Sequence, residues 1–343
     1  MMHNRPVPTD QPRLAIIGAG LSGLTLARRL MSCAHYDLFE KSRGLGGRLA
    51  TRYADDYQFD HGAPGFTATS AAFQDFVHML EQAGVVAPWQ TTDVELQAGK
   101  APVIIECPEH RYVGVPRMNQ IGKYLAQDLS VQRQIRITCI QGTSRNWRLQ
   151  DEQGNLYGPY NWVISTAPPA QTAALLPPGY LPAVQTDPMD GCYVLMLGLA
   201  QSLPLSWQIA EATDPMIHRI WLNHTKPGRP AGYSVVVHST STWAAAHSEA
   251  DKEWVQTQMI QSAGQLIGQD LSQPAHRALH LWRYATCVPE TLGALHYTDI
   301  DAGLTACGDW CGSGTVEAAY HSACAAADTI QHSLRQHSQQ GGG

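Results

Sequence analysis

The 343-residue chain is 44% apolar and 15% charged, with 23 basic and 29 acidic side chains and a net charge of −6, where an average domain has ~25% charged residues. That composition excludes wholesale disorder and argues against a nucleic-acid or anionic-membrane surface. No run reaches the ~18 apolar residues of a membrane span, the opening MMHNRPVPTDQPR has no apolar export core, and the eight cysteines form no C-x-x-C pair. A soluble, cytoplasmic protein is the expectation.

The elements, in chain order, begin after a polar N-terminus; residues 1–12 and 335–343 are expected to be flexible. Residues 14–17 form a short apolar strand, a glycine turn follows, 22–31 has helical spacing, and 36–39 is a second strand, which together make a βαβ opening. Residues 71–83 read as an amphipathic helix with Phe73, Phe76, Val77 and Leu80 on one face, and 119–129 as another. The pattern then turns to strands at 136–140, 147–150 and 162–165, with Gln153-Gly154-Asn155 as a hairpin turn. Pro168-Pro169 and Pro177-Pro178 break the chain. Two β-rich runs follow, 192–198 and 233–238, with one helix at 243–263. The strand 304–307 leads through Gly308–Gly314 into an alanine-rich helix from about Thr315. Strand–turn–helix thus stands at both ends, which predicts a nucleotide-binding domain whose ends meet, with a second domain inserted.

Gly18-Ala19-Gly20-Leu21-Ser22-Gly23 is a G-x-G-x-x-G motif between strand and helix. Gly18 permits the tight turn, Gly20 lets a pyrophosphate approach the backbone, and Gly23 packs helix on strand. The amides and dipole of the helix start favour phosphate charge. Glu40, at the end of the second strand, is placed to bind ribose hydroxyls. Gly46-Gly47-Arg48 adds a second close backbone approach with a guanidinium, which a simple nicotinamide dehydrogenase does not need.

With these motifs the sequence resembles the flavin-dependent amine oxidase superfamily. The likeness continues at Asp60-His61-Gly62-Ala63, at the stretch from Val163 through Thr166 to Pro169, at Cys307-Gly308-Asp309-Trp310 and at Gly314-Thr315-Val316-Glu317-Ala318-Ala319. Within it the chain is similar to the renalases over residues 13–333, through Phe39–Gly44, Val113–Met118, Lys226-Pro227-Gly228-Arg229 and the His238…Trp243 stretch. It departs from them at Pro64-Gly65-Phe66, which reshapes the pocket wall. The resemblance implies noncovalent FAD held by Gly18, Gly20, Ser22, Gly23, Glu40, Lys41, Gly46, Gly47, Arg48, His61, Gly62, Ala63, Ile137, Thr166, Gly308, Asp309, Val316, Glu317 and Ala318. Asp309 would hold the ribityl–pyrophosphate region and the helix start at Glu317 would face the flavin pyrimidine ring. Cys311 and His61 are the side chains that could attach to a flavin.

The implied fold is α/β with two domains: a discontinuous Rossmann-like FAD domain (13–65, 112–180, 297–334) and an inserted mixed-sheet substrate domain (66–111, 181–296). The implied reaction is oxidation of aberrant 2- and 6-dihydronicotinamide dinucleotides to NAD(P)⁺, with O2 giving hydrogen peroxide and with no membrane, nucleic-acid or obligate protein partner. Loss of hydride from a dihydropyridine is driven by aromatisation and needs no general base, and none stands out. Candidate pocket residues are Asn223, His238, Trp282, Tyr284, Tyr320 and His321, with Trp310 as a further ring. An amine oxidase would need an aromatic cage and a lysine near the flavin. Of five lysines only Lys226 lies in the relevant half, in a Lys-Pro-Gly-Arg loop that reads as surface. A flavin-binding sensor without turnover is the third reading. Fifteen histidines without paired spacing predict no metal site, and Cys307 and Cys311, four apart, read as buried packing residues rather than a redox pair.

Overall fold

Arg13–Ile17 is buried from Leu14 onward, as a strand covered on both faces must be. In the computed structural model, which describes residues 11–107, 109–181, 184, 189–287 and 294–340, this strand lies inside a six-stranded sheet. The order is Val131–Arg133, His35–Glu40, Arg13–Ile17, Trp162–Ser165, Leu304–Cys307, His296–Asp299. The first five run parallel and the last pairs antiparallel. Strands from the start, middle and end of the chain are therefore neighbours.

Among the described residues seven α-helices follow in chain order: α1 (Leu21–Leu30), α2 (Ala71–Gln82), α3 (Asn119–Leu125), α4 (Pro169–Leu175), α5 (Ser241–Ala246), α6 (Lys252–Ile267) and α7 (Val316–Gln340). The two helices that leave the parallel strands at the glycine turns, α1 and α7, share a core of Leu24, Leu26, Ala323, Ala326 and Ile330. Ser22 Oγ donates to the Ala319 carbonyl at 2.9 Å, fixing the two helix starts side by side.

A seven-stranded sheet has the order His276–Cys287, Met189–Leu199, Tyr233–Ser239, Ile217–Leu222, Ile209–Ala212, Asp93–Leu96, Val103–Ile105. Side chains alternate across it. Leu195, Val235 and Val237 pack beneath α5 and α6 with Val255 and Met259, whereas Val194, Val236 and Trp221 join the core shared with α1 and α7. That second face looks toward the nucleotide-binding sheet.

Several expectations are corrected. The single helix at 243–263 is two, α5 and α6, because Asp251 caps a new start by accepting from the Trp254 amide at 2.9 Å. The helix from Asn119 ends at Leu125 rather than 129, since Asp128 adopts a left-handed φ of 66°. The Gln153–Asn155 turn does form a hairpin, but Asn146–Asp151 pairs with Leu156–Tyr160, and Trp162–Ser165 instead enters the parallel sheet. The tail expected to fray from Arg335 continues as helix to Gln340. Residues 1–10 and 341–343 of the expected flexible ends lie outside the described residues. The long strand His276–Cys287, which lacks strict alternation, was not foreseen.

Candidate active site

The carboxyl ends of the parallel strands, the start of α7 and the inner face of the seven-stranded sheet enclose a cavity of about 1820 Å³. Small-ligand pockets usually hold ~300–1,000 Å³, so this one has room for a dinucleotide and a second molecule.

At the first glycine turn Gly18 has φ +103°, which L side chains rarely adopt, and its amide donates to the Phe39 carbonyl at 2.8 Å. Gly46 donates to the Ala19 carbonyl at 2.9 Å, bringing the second glycine pair onto the first. A Cβ on Gly47 would stand 3.1 Å from Gly20 Cα, so the two loops meet as bare backbone at the cavity wall. Glu40, buried at its strand end, accepts from the Ala19 amide and the Ser42 amide, each at 2.8 Å. Approachable backbone at a helix start beside a fixed carboxylate fits the pyrophosphate and ribose of FAD. Lys41, Ile137 and Thr166 also line the cavity.

Farther along, Arg48 Nη1 donates to Asp309 Oδ2 at 2.7 Å and Nη2 to Oδ1, a forked ion pair at the wall. Gly62 lies against it: a Cβ there would come within 1.8 Å of the Arg48 carbonyl oxygen. Ala63, Val316, Glu317 and Ala318 complete this side. The Glu317 carboxylate is held by the Thr69 amide at 2.9 Å, the Thr69 hydroxyl at 2.8 Å and the Ser70 amide at 2.8 Å. Burial pushes its pKa up, but hydrogen bonds from Ser70 and Thr69 outweigh that and bring it to about 2. The α7 start thus faces the cavity while its acid joins the start of α2. His321 lines the cavity too, 2.7 Å from Ser70 Oγ.

Of the pocket candidates on the seven-stranded sheet, His238, Trp282 and Tyr284 line the cavity, as do Trp221, Arg219 and Cys192. Burial, with Arg219 and His218 nearby, pushes the His238 pKa down to about 3, so the ring is neutral. Trp282 Nε1 donates to the His61 carbonyl at 2.6 Å and its ring stacks on the His61 ring, 5.5 Å between centroids. Pro64, Gly65 and Phe66 do form part of the wall.

The remaining candidates lie behind the wall. Gly23 is a packing position, where a Cβ would meet the Gly18 carbonyl oxygen at 1.8 Å. Gly308 supports the turn through Ser322, whose Oγ accepts its amide at 2.9 Å. His61 presents its backbone to Trp282; burial first, then His280, pushes its imidazole pKa down to about 4. Asn223, fully buried, donates to the Gln58 carbonyl at 2.8 Å. Tyr320 stacks on Phe76 with centroids 4.4 Å apart. Trp310 stacks on Tyr297 at 5.7 Å and donates to the Ala167 carbonyl. Cys307 and Cys311 are buried thiols, and burial pushes the Cys311 pKa up to about 12.

The Lys226 side chain, expected at the surface, is buried instead, although Gly228 in the same loop is exposed. Lys226 Nζ bonds to Asp60 Oδ2 at 2.9 Å and Asn223 Oδ1 at 2.7 Å, and Arg229 also pairs with Asp60. The two cationic side chains reach inward from the loop because a buried carboxylate needs its charge paired. Sequence reading missed Arg111, Arg219 and Trp221. The alternation of Arg219 and Trp221, two apart in one strand, was the available signal.

Comparison with known proteins agrees with this geometry. A profile described as flavin containing amine oxidoreductase matches residues 64–331, and one described as NAD(P)-binding Rossmann-like domain matches residues 16–83. The 4,4'-diapophytoene desaturase (4,4'-diaponeurosporene-forming) of Staphylococcus aureus strain Newman is 32% identical over 80 residues, covering 20% of this chain and only 16% of that protein. A protein assigned as protoporphyrinogen oxidase from Exiguobacterium sp. 255-15 superposes with a TM-score of 0.73 at 14% identity, over 96% of this chain and 100% of that one. Wild-type putrescine oxidase bound to putrescine gives 0.71 at 13%, over 94% and 99%. At those identities the two structures share the fold.

Proposed function

Because the chain belongs to the flavin containing amine oxidoreductases, we propose that it is an FAD-dependent oxidase of the renalase type, acting on 2- and 6-dihydronicotinamide dinucleotides. The observation that carries this reading is the chemistry of the substrate-side wall. It offers Trp221, Trp282, Tyr284, a neutral His238 and the guanidinium of Arg219, and no lysine stands on it among the described residues. Of the four carboxylates that line the cavity among the described residues, Glu40, Asp309 and Glu317 are already engaged, and Glu109 is exposed. A cationic amine entering such a site would lose its hydration without gaining a buried counter-charge. A flat neutral ring loses little and gains stacking.

Bound FAD supplies the two-electron acceptor, so that substrate hydride, a proton and O2 end as NAD(P)⁺ and hydrogen peroxide. Gly20, Gly46 and Gly47 would admit its pyrophosphate, Glu40 its ribose, and the Arg48–Asp309 pair with the α7 start would flank its remainder. The α7 amides would offer partial positive charge that stabilises an anionic reduced flavin. Trp282 and Tyr284 orient the substrate ring, and the enclosing sheet excludes water. We propose with this that the substrate unit spans 66–111 and 181–296, inserted into an FAD unit of 13–65, 112–180 and 297–334, and that the protein works in the cytoplasm. No helix among the described residues is long and apolar enough to cross a membrane.

The test is oxygen consumption with product analysis on purified FAD-loaded protein. The dihydronicotinamide isomers should give one NAD(P)⁺ and one peroxide per O2 consumed. Rapid oxygen uptake with benzylamine or polyamines, and none with the isomers, would replace this reading by an amine oxidase.

A further inference from the structure

A cluster around Trp221 contains four buried nitrogens with no hydrogen-bond partner among the described residues: Arg111 Nη1, Arg219 Nε, Trp221 Nε1 and His238 Nε2. All four residues line the cavity. Trp221 is only 5% exposed. Arg219 and His238 face each other across neighbouring strands, and the rings of His238 and Trp221 lie 6.2 Å apart. The Arg111 and Arg219 guanidinium carbons stand 5.6 and 5.5 Å from the Trp221 ring centroid. This is one patch.

Buried donors in folded proteins nearly always find acceptors, and one left unpaired carries its whole desolvation cost. Four in one patch of a cavity wall therefore point to a ligand. Its chemistry follows from the donors. Each guanidinium is anchored from behind, Arg111 Nη2 by Asp93 at 2.9 Å and Arg219 Nη2 by Glu211. Those carboxylates hold the planes in place and leave Nη1 and Nε for another acceptor. Trp221 Nε1 can only donate, and a neutral imidazole can offer its N–H. The complement is a group with several lone pairs on adjacent oxygens, and guanidinium–oxyanion bonds are among the strongest available. An ammonium group would meet two guanidinium cations and the Trp221 N–H.

We infer that Arg111, Arg219, Trp221 and His238 form an oxyanion-binding subsite of the substrate cavity, which takes a phosphate or carboxylate carried by the small-molecule substrate. This rests on the reading of the cavity as a substrate site and adds the substrate class: a molecule with an oxidisable ring at one end and an oxyanion at the other.

The test is calorimetric titration of the FAD-loaded full chain with inorganic phosphate and, separately, with benzoate. At least one should bind saturably; phosphate alone indicates a phosphorylated substrate and benzoate alone a carboxylate. Trp221→Phe keeps the ring and removes the donor, and Arg219→Lys keeps the charge and removes Nε. Each should weaken binding roughly tenfold or more, the loss of a hydrogen bond to a charged group, at unchanged flavin content. Arg111→Lys serves as a third variant should either fail to load FAD. If neither anion binds, or the loaded variants bind as the parent does, the subsite is refuted. Anion binding with no flavin reduction by dihydronicotinamides would keep the subsite and reject that substrate. Reduction by them without anion binding would do the reverse.

Discussion

Arg48 and Asp309, 261 positions apart, meet at the cavity wall in a forked ion pair. It ties the second glycine loop to the turn before α7 and, with the Ser22–Ala319 hydrogen bond, joins the two ends of the chain at the candidate cofactor site. Asp309→Ala leaves a half-buried guanidinium without its partner and is expected to weaken FAD retention by about 1.5–3 kcal/mol. Flavin content after gel filtration, with a denaturant titration of the flavin-free protein, checks this. Full retention would show that the pair is not part of the cofactor site.

Two glycines of one motif should fail in different ways. A Cβ on Gly20 meets nothing closer than Gly47 Cα at 3.9 Å, whereas on Gly23 it would lie 1.8 Å from a backbone oxygen. Gly20→Val should give a folded protein without flavin, its branches filling the phosphate approach. Gly23→Ala should instead fold poorly. Circular dichroism and flavin content separate the two outcomes, and a yellow Gly20→Val protein would place the cofactor elsewhere.

Glu317 predicts a pH dependence. Its folded pKa of about 2 lies below the ordinary 4.5, so its stabilisation is fully present above pH 4.5 and lost as pH falls toward 2. Glu317→Gln should lower the urea midpoint at pH 7, and its gap from the parent should narrow as the pH is taken below 4.5. A gap that stays constant would assign the effect to packing alone.

Lys226 is buried against Asp60 and belongs to the scaffold. Lys226→Met removes one of two cations on a buried carboxylate and should cost about 3 kcal/mol, the low end for breaking a buried pair because Arg229 remains. Urea unfolding reads the loss. The rate of flavin reduction in the folded fraction should not change, and a selective loss of rate would move Lys226 into the chemistry.

The glycine turns at the cavity wall were legible because their requirements are local: a glycine turn and a helix start occupy consecutive positions, and a strand-end acid follows at the end of the next strand. Gly18, Gly20, Glu40 and Gly47 could be placed from spacing alone. The substrate side was only partly legible. Trp282 and Tyr284 do line the cavity, but Tyr320 stacks on Phe76, Asn223 joins the Asp60–Lys226 network, and Trp221 carries no local signal of which sheet its face meets. Those outcomes depend on which face of a strand meets which sheet, a nonlocal matter of register. Lys226 failed for a related reason: a Pro-Gly loop signals a turn, and only the distant Asp60 turns it inward.

The most direct measurement is anaerobic stopped-flow absorbance of the FAD-loaded protein, mixed in turn with 2-dihydro-NAD(P), 6-dihydro-NAD(P), benzylamine, a catecholamine and a polyamine at equal concentration. The account predicts that the dihydronicotinamide isomers bleach the flavin within seconds and that the amines leave it oxidised. Bleaching by an amine, with the flavin left oxidised by both isomers, would contradict it.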